Sequence, residues 1–253
     1  MNSRTIEYKT YIKNLNYVNE KLDYLKGKYS GKKAVILAPG PSLEQADLSH
    51  LHNRDDIVIL SIKQAYSKIK GQCDFHIVNT YNFDKVNGYD YEHLNTIIFY
   101  GLSQSYLSDQ MAKLAIKPHP VDIWVPVVNP PSITYEQCIH KSADFDKLLM
   151  LSECPGTWWG TSIMYEQALP MAFLLGCTDI YTVGWDLGTG AHFYDYSKIG
   201  FTPNKAEDTY TNDSIKTTKE LYDWMNNHNF SLSIVSDTSP ADERFNRLNL
   251  CQI

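Results

Sequence analysis

Three short stretches of the chain combine glycine, hydroxyl and carboxylate residues at spacings that suit anion binding or acid–base chemistry. The first is Ala38-Pro39-Gly40-Pro41-Ser42-Leu43, directly after the apolar run Ala34-Val35-Ile36-Leu37. Glycine lets backbone pass close to a ligand, proline fits a first helical turn, and serine caps helices. Free N–H groups at a helix start suit phosphate, which makes Gly40, Pro41 and Ser42 candidate nucleotide contacts. The plainer reading is an ordinary strand-to-helix turn, because neither G-x-G-x-x-G nor a Walker-type Gly-Lys-Ser/Thr ending is present. The second stretch, Gly156-Thr157-Trp158-Trp159-Gly160-Thr161-Ser162, opens a long apolar segment. Thr161 and Ser162 are a second candidate anion turn, against the alternative of a capped helix with both tryptophans in the core. The third is the strand end Val183-Gly184-Trp185-Asp186-Leu187, followed by Gly188, Gly190, His192, Tyr194, Asp195 and Tyr196. Asp186 is a candidate ligand-contacting and catalytic carboxylate. His192, in a polar, aromatic, glycine-flanked loop, is a candidate general acid or base, with a surface histidine as the plainer reading.

Several other chemistries lack their residues. There is no H-E-x-x-H, no paired Cys/His spacing for zinc and no G-x-S-x-G elbow. Asp144-Phe145-Asp146 is formally a D-x-D pair, but it lies inside a polar connection and reads as two exposed aspartates. No metal ligands are assigned.

The elements that must position these residues follow from hydrophobic pattern. Ile12, Leu15, Val18, Leu22 and Leu25 fall at helical spacing, closed by Gly27. Short apolar runs then recur at 34–38, 57–60, 75–78, 96–99, 123–125, 180–183 and 232–235. Helix-like segments lie between many of them, notably 109–115, 160–175 and 213–227, and Pro170 should kink the second. Near-continuously apolar strands alternating with helices indicate a parallel sheet covered on both faces. The expected fold is α/β, a single doubly wound, mostly parallel, Rossmann-like sheet. Residues 1–30 read as an N-terminal helical extension and 31–253 as the Rossmann-like domain. Two long irregular stretches, 129–156 and 187–208, each follow a predicted strand and would emerge as loops at its carboxyl edge, where ligands of open α/β folds bind.

Composition narrows the function classes. A net charge of −6 with no basic run argues against a nucleic-acid face. The 18 tyrosines exceed what a core needs and suit a polar, aromatic groove. Five scattered cysteines with no C-x-x-C pair fit reduced thiols rather than a disulfide framework. No signal-like or membrane-spanning apolar stretch appears, so a soluble, cytoplasmic protein is expected.

The segment Ile36-Leu37-Ala38-Pro39-Gly40-Pro41-Ser42-Leu43 resembles the G-N-G-P-S-L opening of bacterial CMP-sialic acid-dependent sialyltransferases of lipooligosaccharide synthesis. That signature extends to motility-accessory-factor glycosyltransferases and archaeal hydroxymethylpterin pyrophosphokinases. Thr161-Ser162 through Leu175-Gly176 to Val183-Gly184-Trp185-Asp186 resembles the second family motif, a T-S-G helix and a strand closing in G-x-D. Ser61-Ile62-Lys63-Gln64 and Val78-Asn79-Thr80 fall where those enzymes carry C-N-Q and Y-N-P. The resemblance implies that Gly40 and Ser42 contact phosphate or sugar and that Asn79 binds the cytidine nucleotide. It also implies that Thr161 and Ser162 lie near the donor phosphate and sugar carboxylate, and that Tyr194 assists the leaving phosphate.

Departures from the family pattern are equally specific. Pro39 replaces an asparagine, and Lys63 replaces another with a point charge able to pair with phosphate. The helix after Ser162 is about two residues longer. The family's general-base histidine falls near Thr209 or Tyr210, which leaves His192 as the first candidate base. The resemblance implies a glycosyltransferase using a CMP-linked acidic sugar such as sialic acid, with no cofactor beyond that donor. A glycan or lipid-linked glycan is the implied acceptor, and assembly as a homo-oligomer stays open. The alternatives are a pyrophosphokinase acting on a pterin-like alcohol, which alone would need Mg²⁺ near Asp186, or a degenerate member that binds nucleotide or glycan without turnover.

Overall fold

The computed structural model describes residues 16–69, 72–79, 96–101, 123–126, 135–155, 163–187, 207–237 and 239–253. Among the described residues eight strands form one sheet: β1 (Lys33–Leu37), β2 (Ile57–Ile62), β3 (Phe75–Asn79), β4 (Thr96–Gly101), β5 (Ile123–Pro126), β6 (Asp179–Val183), β7 (Ser231–Val235) and β8 (Asn246–Arg247). Their spatial order is β5-β4-β3-β2-β1-β6-β7-β8, and every neighbouring pair is parallel. The seven apolar runs read from the sequence are therefore all strands, and the two-residue β8 is an addition too short to leave a pattern.

Parallel strands buried on both faces explain why those runs are continuously apolar. Ala34, Ile36, Val58, Leu60, Ile77, Ile180 and Ile234 point to one face. They pack there with Val18 and Leu22 of α1 (Asn16–Leu25), with α3 (Leu169–Leu174) and with Leu221 and Met225 of α4 (Glu207–Asn227). Val35, Leu37, Ile57, Ile59, Val78 and Val183 point to the other face, under Leu43, Leu48, Leu51 and Tyr66. That second cover consists of short 3-10 turns rather than long helices.

Two expectations change in detail. The segment 160–175 is not one kinked α-helix: Met164–Ala168 forms a π turn, and the Leu169 N–H bonds the Met164 carbonyl, five residues back. Proline at 170 has no N–H and its ring crowds the carbonyl four residues earlier, so the ladder widens ahead of it instead of simply bending. The stretch 129–156 is also not an open loop where it is described. Tyr135–Gln137, α2 (Ile139–Ser142) and Phe145–Leu149 are helical turns that bury Cys138, Ile139, Phe145 and Leu148. The helix expected at 109–115 and most of the 187–208 stretch lie outside the described residues. Cys73, Cys138 and Cys177 are buried thiols outside any disulfide; burial pushes Cys73 up to about 12 and Cys177 up to about 11. Among the described residues, no helix is long and apolar enough to cross a membrane.

Candidate functional site

The chain leaves β1 and builds outward through β2 to β5. It then returns to lay β6 against the other side of β1. The crossover after β1 covers one face, through Leu43, Leu48 and Leu51, while the α4 crossover after β6 covers the opposite face. Connections that part to opposite faces leave a crevice at the carboxyl ends of the two strands, the usual ligand position in such sheets. Both glycine-containing motifs end there.

At this switch point the motifs hold each other. The Ser42 backbone N–H donates to Oδ2 of Asp186 at 2.8 Å, and the Ser42 hydroxyl donates to Oδ1 at 2.8 Å, across 144 residues of sequence. Ser236, just beyond β7, donates its hydroxyl to Oδ1 at 3.1 Å. Asp186 is only 3% exposed. The Gly40 N–H bonds the Gly184 carbonyl at 2.9 Å, and a Cβ on Gly40 would collide with that carbonyl and the Asp186 carboxylate. Gly40 has an ordinary extended backbone, with φ −71° and ψ 164°, so glycine is required here by lack of space. Gly184 needs glycine twice over, with φ +78° and a Cβ position blocked by the Ala38 carbonyl.

This arrangement revises three expectations. The turn after β1 is a five-residue 3-10 turn, Pro41–Gln45, not the start of an α-helix. Pro41 occupies its first position and is exposed, as anticipated, but Ser42 makes no side-chain cap. The donors assigned to phosphate at Ser42 are turned onto the protein's own Asp186 carboxylate. Asp186, expected among the catalytic residues, is enclosed by three hydrogen bonds and joins the ends of β1, β6 and β7. Both of its carboxylate oxygens accept from serine donors, and among the described residues no group of three potential metal ligands occurs. The carboxylates of the D-x-D pair lie elsewhere, Asp146 accepting the Trp224 indole N–H at 2.9 Å and Asp144 lying 3.4 Å from the Lys147 ammonium.

One strand away the edge has a different character. Five described non-glycine residues have positive φ: Asn53, Lys63, Ala143, Leu187 and Asn229. Asn53 and Asn229 precede β2 and β7, where asparagine tolerates the left-handed region, and Ala143 caps α2. Lys63 (φ +48°) directly follows β2, and Leu187 (φ +52°) directly follows Asp186, so both strained positions lie at the carboxyl edge. Such backbone costs roughly 1–3 kcal/mol and tends to persist where function requires it. Burial pushes the Lys63 ammonium below its ordinary range, and attraction to Glu166 on the π turn restores part of that loss. Gln64, the next residue, is 8% exposed, and its buried Oε1 has no hydrogen-bond partner. Asn79 ends β3 at the same edge, paired in register with Tyr100.

Lys63, Gln64 and Asn79 thus share one edge with Gly40, Pro41, Ser42 and Asp186. Thr161, Ser162, His192 and Tyr194 lie outside the described residues. Sequence reasoning missed His76, Glu166 and Ser236. His76 was hidden inside an apolar strand run, whereas Glu166, four residues past Ser162 in an apolar helix, was a readable signal.

Comparison with family models and with curated proteins finds no match. Comparison with solved structures returns the following similarities. The sialyltransferase CST-II in complex with a trisaccharide acceptor and CMP is 20% identical over 80% of this chain and 80% of its own, with a TM-score of 0.45. CstII from Campylobacter jejuni with the substrate analogue cytidine-5'-monophosphate is 18% identical over 83% and 82%, at 0.45. The MAf glycosyltransferase from Magnetospirillum magneticum AMB-1 is 14% identical over 93% of this chain and 39% of its own, at 0.47.

Proposed function

We propose that this chain is a glycosyltransferase that moves a sugar, a CMP-linked acidic sugar by our reading, from a nucleotide donor to a glycan hydroxyl. One observation carries the reading. The two motifs that bear the family resemblance, far apart in sequence, are bonded to each other at the switch point through Ser42 and Asp186.

In this reading Gly40, Pro41, Ser42 and Asp186 wall the cleft and fix its strand ends, and the donor's charge falls to the neighbouring strand. Lys63 faces the donor phosphate, Gln64 takes a hydroxyl or amine of the donor, and Asn79 contacts the nucleoside. Thr161 and Ser162 bind near the phosphate and the sugar carboxylate. The acceptor oxygen bonds the anomeric carbon as the bond from that carbon to the phosphate oxygen breaks. His192 takes the acceptor proton, while Tyr194 donates a hydrogen bond to the leaving phosphate. Positioning and stabilisation of the departing phosphate supply most of the rate.

Calorimetric titration with CMP, CDP, UDP and GDP tests the donor, and CMP with a trisaccharide acceptor is the natural first pair to try. A cytidine nucleotide should bind best, and silence towards all four would remove the reading. Ser162→Ala combined with Asn79→Ala should weaken CMP binding. His192→Ala should abolish transfer while CMP binding persists; undiminished transfer would move the base elsewhere.

A further inference from the structure

Lys63 is held by side chains that take no part in the bonding at the switch point. Its carbonyl oxygen accepts the Nε2–H of His76 at 2.8 Å. His76 is fully buried on the adjacent strand β3, and its ring stacks on Tyr66 with centroids 4.8 Å apart and planes 22° from parallel. Tyr66, 2% exposed, belongs to the 3-10 turn Lys63–Lys68 that Lys63 itself opens. The left-handed backbone of Lys63 is therefore fixed from β3 through its carbonyl, and from its own turn through the ring that backs His76. Glu166 attracts the ammonium from the π turn.

A histidine inside a parallel strand is a costly choice where an aliphatic residue would pack, unless its polar atoms have work to do. Here its Nε2–H goes to the carbonyl of the strained residue. Burial pushes the ring down to about 3, so it stays neutral and remains a fixed donor across the ordinary pH range. Next to this clamp, Gln64 holds a buried acceptor oxygen without a partner. Buried polar groups are rarely left unpaired, and a ligand is one way to fill them. The edge of β2 therefore offers a preset cation beside an unfilled acceptor.

We propose that His76 and Tyr66 are positioning residues that preset Lys63 as the cation for an anionic ligand group, with the Gln64 carbonyl receiving a hydroxyl or amine of the same ligand. That pair of features matches a phosphorylated sugar or nucleoside. The proposal rests on the donor-site reading above and adds to it the device that holds the lysine. A free ammonium on an unstrained surface lysine would need no such clamp.

The test compares CMP with cytidine by calorimetry in wild type, Lys63→Met, His76→Phe and the double variant. Lys63→Met should weaken CMP about tenfold or more and leave cytidine nearly unchanged. His76→Phe should lose a similar part of the phosphate increment, and the double variant should be no weaker than Lys63→Met alone. His76→Gln, which keeps a donor, should restore part of the loss; thermal melts confirm folding, and Tyr66→Leu serves if His76→Phe does not fold. Wild-type CMP affinity in folded His76→Phe, or additive losses in the double variant, would overturn the proposal. If wild type ignores every nucleotide, the donor reading falls, and inorganic pyrophosphate decides the arrangement by itself. The NMR signal of the Lys63 ammonium should then move on adding pyrophosphate in wild type but not in folded His76→Phe or Tyr66→Leu, and no movement in wild type would sink the clamp as well.

Discussion

Two neighbouring parts of the same sheet edge are built on opposite terms. At the ends of β1, β6 and β7, Asp186 accepts from Ser42 twice and from Ser236 once, and two glycines close the remaining space. At the ends of β2 and β3, a lysine adopts a backbone conformation unusual for it, its ammonium is desolvated, and the adjacent glutamine oxygen is unfilled. In the first region the Asp186 carboxylate is met by its own donors; in the second the Gln64 acceptor is left to be satisfied. Left-handed backbone occurs in both regions, at Leu187 and at Lys63, so the unfilled acceptor at Gln64 is what separates them: a buried polar atom left unpaired beside a well-bonded frame is where ligand energy can be spent.

The sharpest way to break this comparison is to remove the frame. Asp186→Ala would leave the Ser42 N–H and two serine hydroxyls without their acceptor in a buried place, and each orphaned donor costs about 1–3 kcal/mol. We expect a loss of about 3–4 kcal/mol in urea unfolding, since partial relaxation offsets part of the sum. Gly40→Ala should cost a comparable ~3 kcal/mol, because its Cβ would meet both the Gly184 backbone carbonyl and the hydrogen-bonded Asp186 carboxylate. Lys63→Met should stay within about 1 kcal/mol of wild type, as it removes a desolvated charge. If Asp186→Ala proved as mild as Lys63→Met, Asp186 would have to be returned to the ligand-binding set.

A second prediction sharpens the character of the other region. Burial holds the His76 ring neutral down to about pH 3, against an ordinary value of 6.5. Between these two values the unfolded chain binds a proton that the folded chain does not, so stability falls as pH drops below 6.5. The linkage is about 2 kcal/mol between pH 7 and pH 5, and it should vanish in His76→Phe when the two proteins are compared at both pH values. Equal acid sensitivity in the two proteins would mean that His76 titrates normally, and the rigid clamp on Lys63 would lose its basis.

How much of this was readable in the sequence follows from the physics of each part. The strands were legible because a sheet covered on both faces demands continuous apolar runs, as at Ala34-Val35-Ile36-Leu37 and Ile57-Val58-Ile59-Leu60. Gly40, Ser42 and Asp186 were each legible as unusual residues at strand ends. Their mutual bond was not, because nothing local encodes a contact across 144 positions. The left-handed turn at Lys63 left no mark either, since lysine is not a residue from which positive φ is inferred. His76 looked like one more strand residue, because a period-two or continuous pattern records burial and says nothing about a hydrogen bond to the turn after the neighbouring strand. Pro170 pointed to a kink, whereas the ladder widens into a π turn ahead of it, an outcome that depends on packing around Glu166 and Gln167, both buried.

The smallest expected effect concerns the pair that most resembles a catalytic motif. Asp144 and Asp146 have side chains 50% and 72% exposed, and their partners are Lys147, Trp224 and His228 rather than each other. Trp224 is held by stacking against Phe230 at 5.7 Å and an edge contact with Phe173 at 5.8 Å, whether or not Asp146 accepts from its indole. Exposed ion pairs of this kind contribute about 0–1 kcal/mol. Asparagine at both positions keeps an acceptor for the indole, so the double variant Asp144→Asn with Asp146→Asn should unfold within about 0.5 kcal/mol of wild type. Its nucleotide affinity should also match wild type, with and without Mg²⁺. A magnesium-dependent gain in wild-type affinity that disappears in the double variant would relocate the site to this surface. It would also make the strain at Lys63 an unrelated feature of the fold, so the least disruptive substitution tests whether the contrast between the two edges identifies the site.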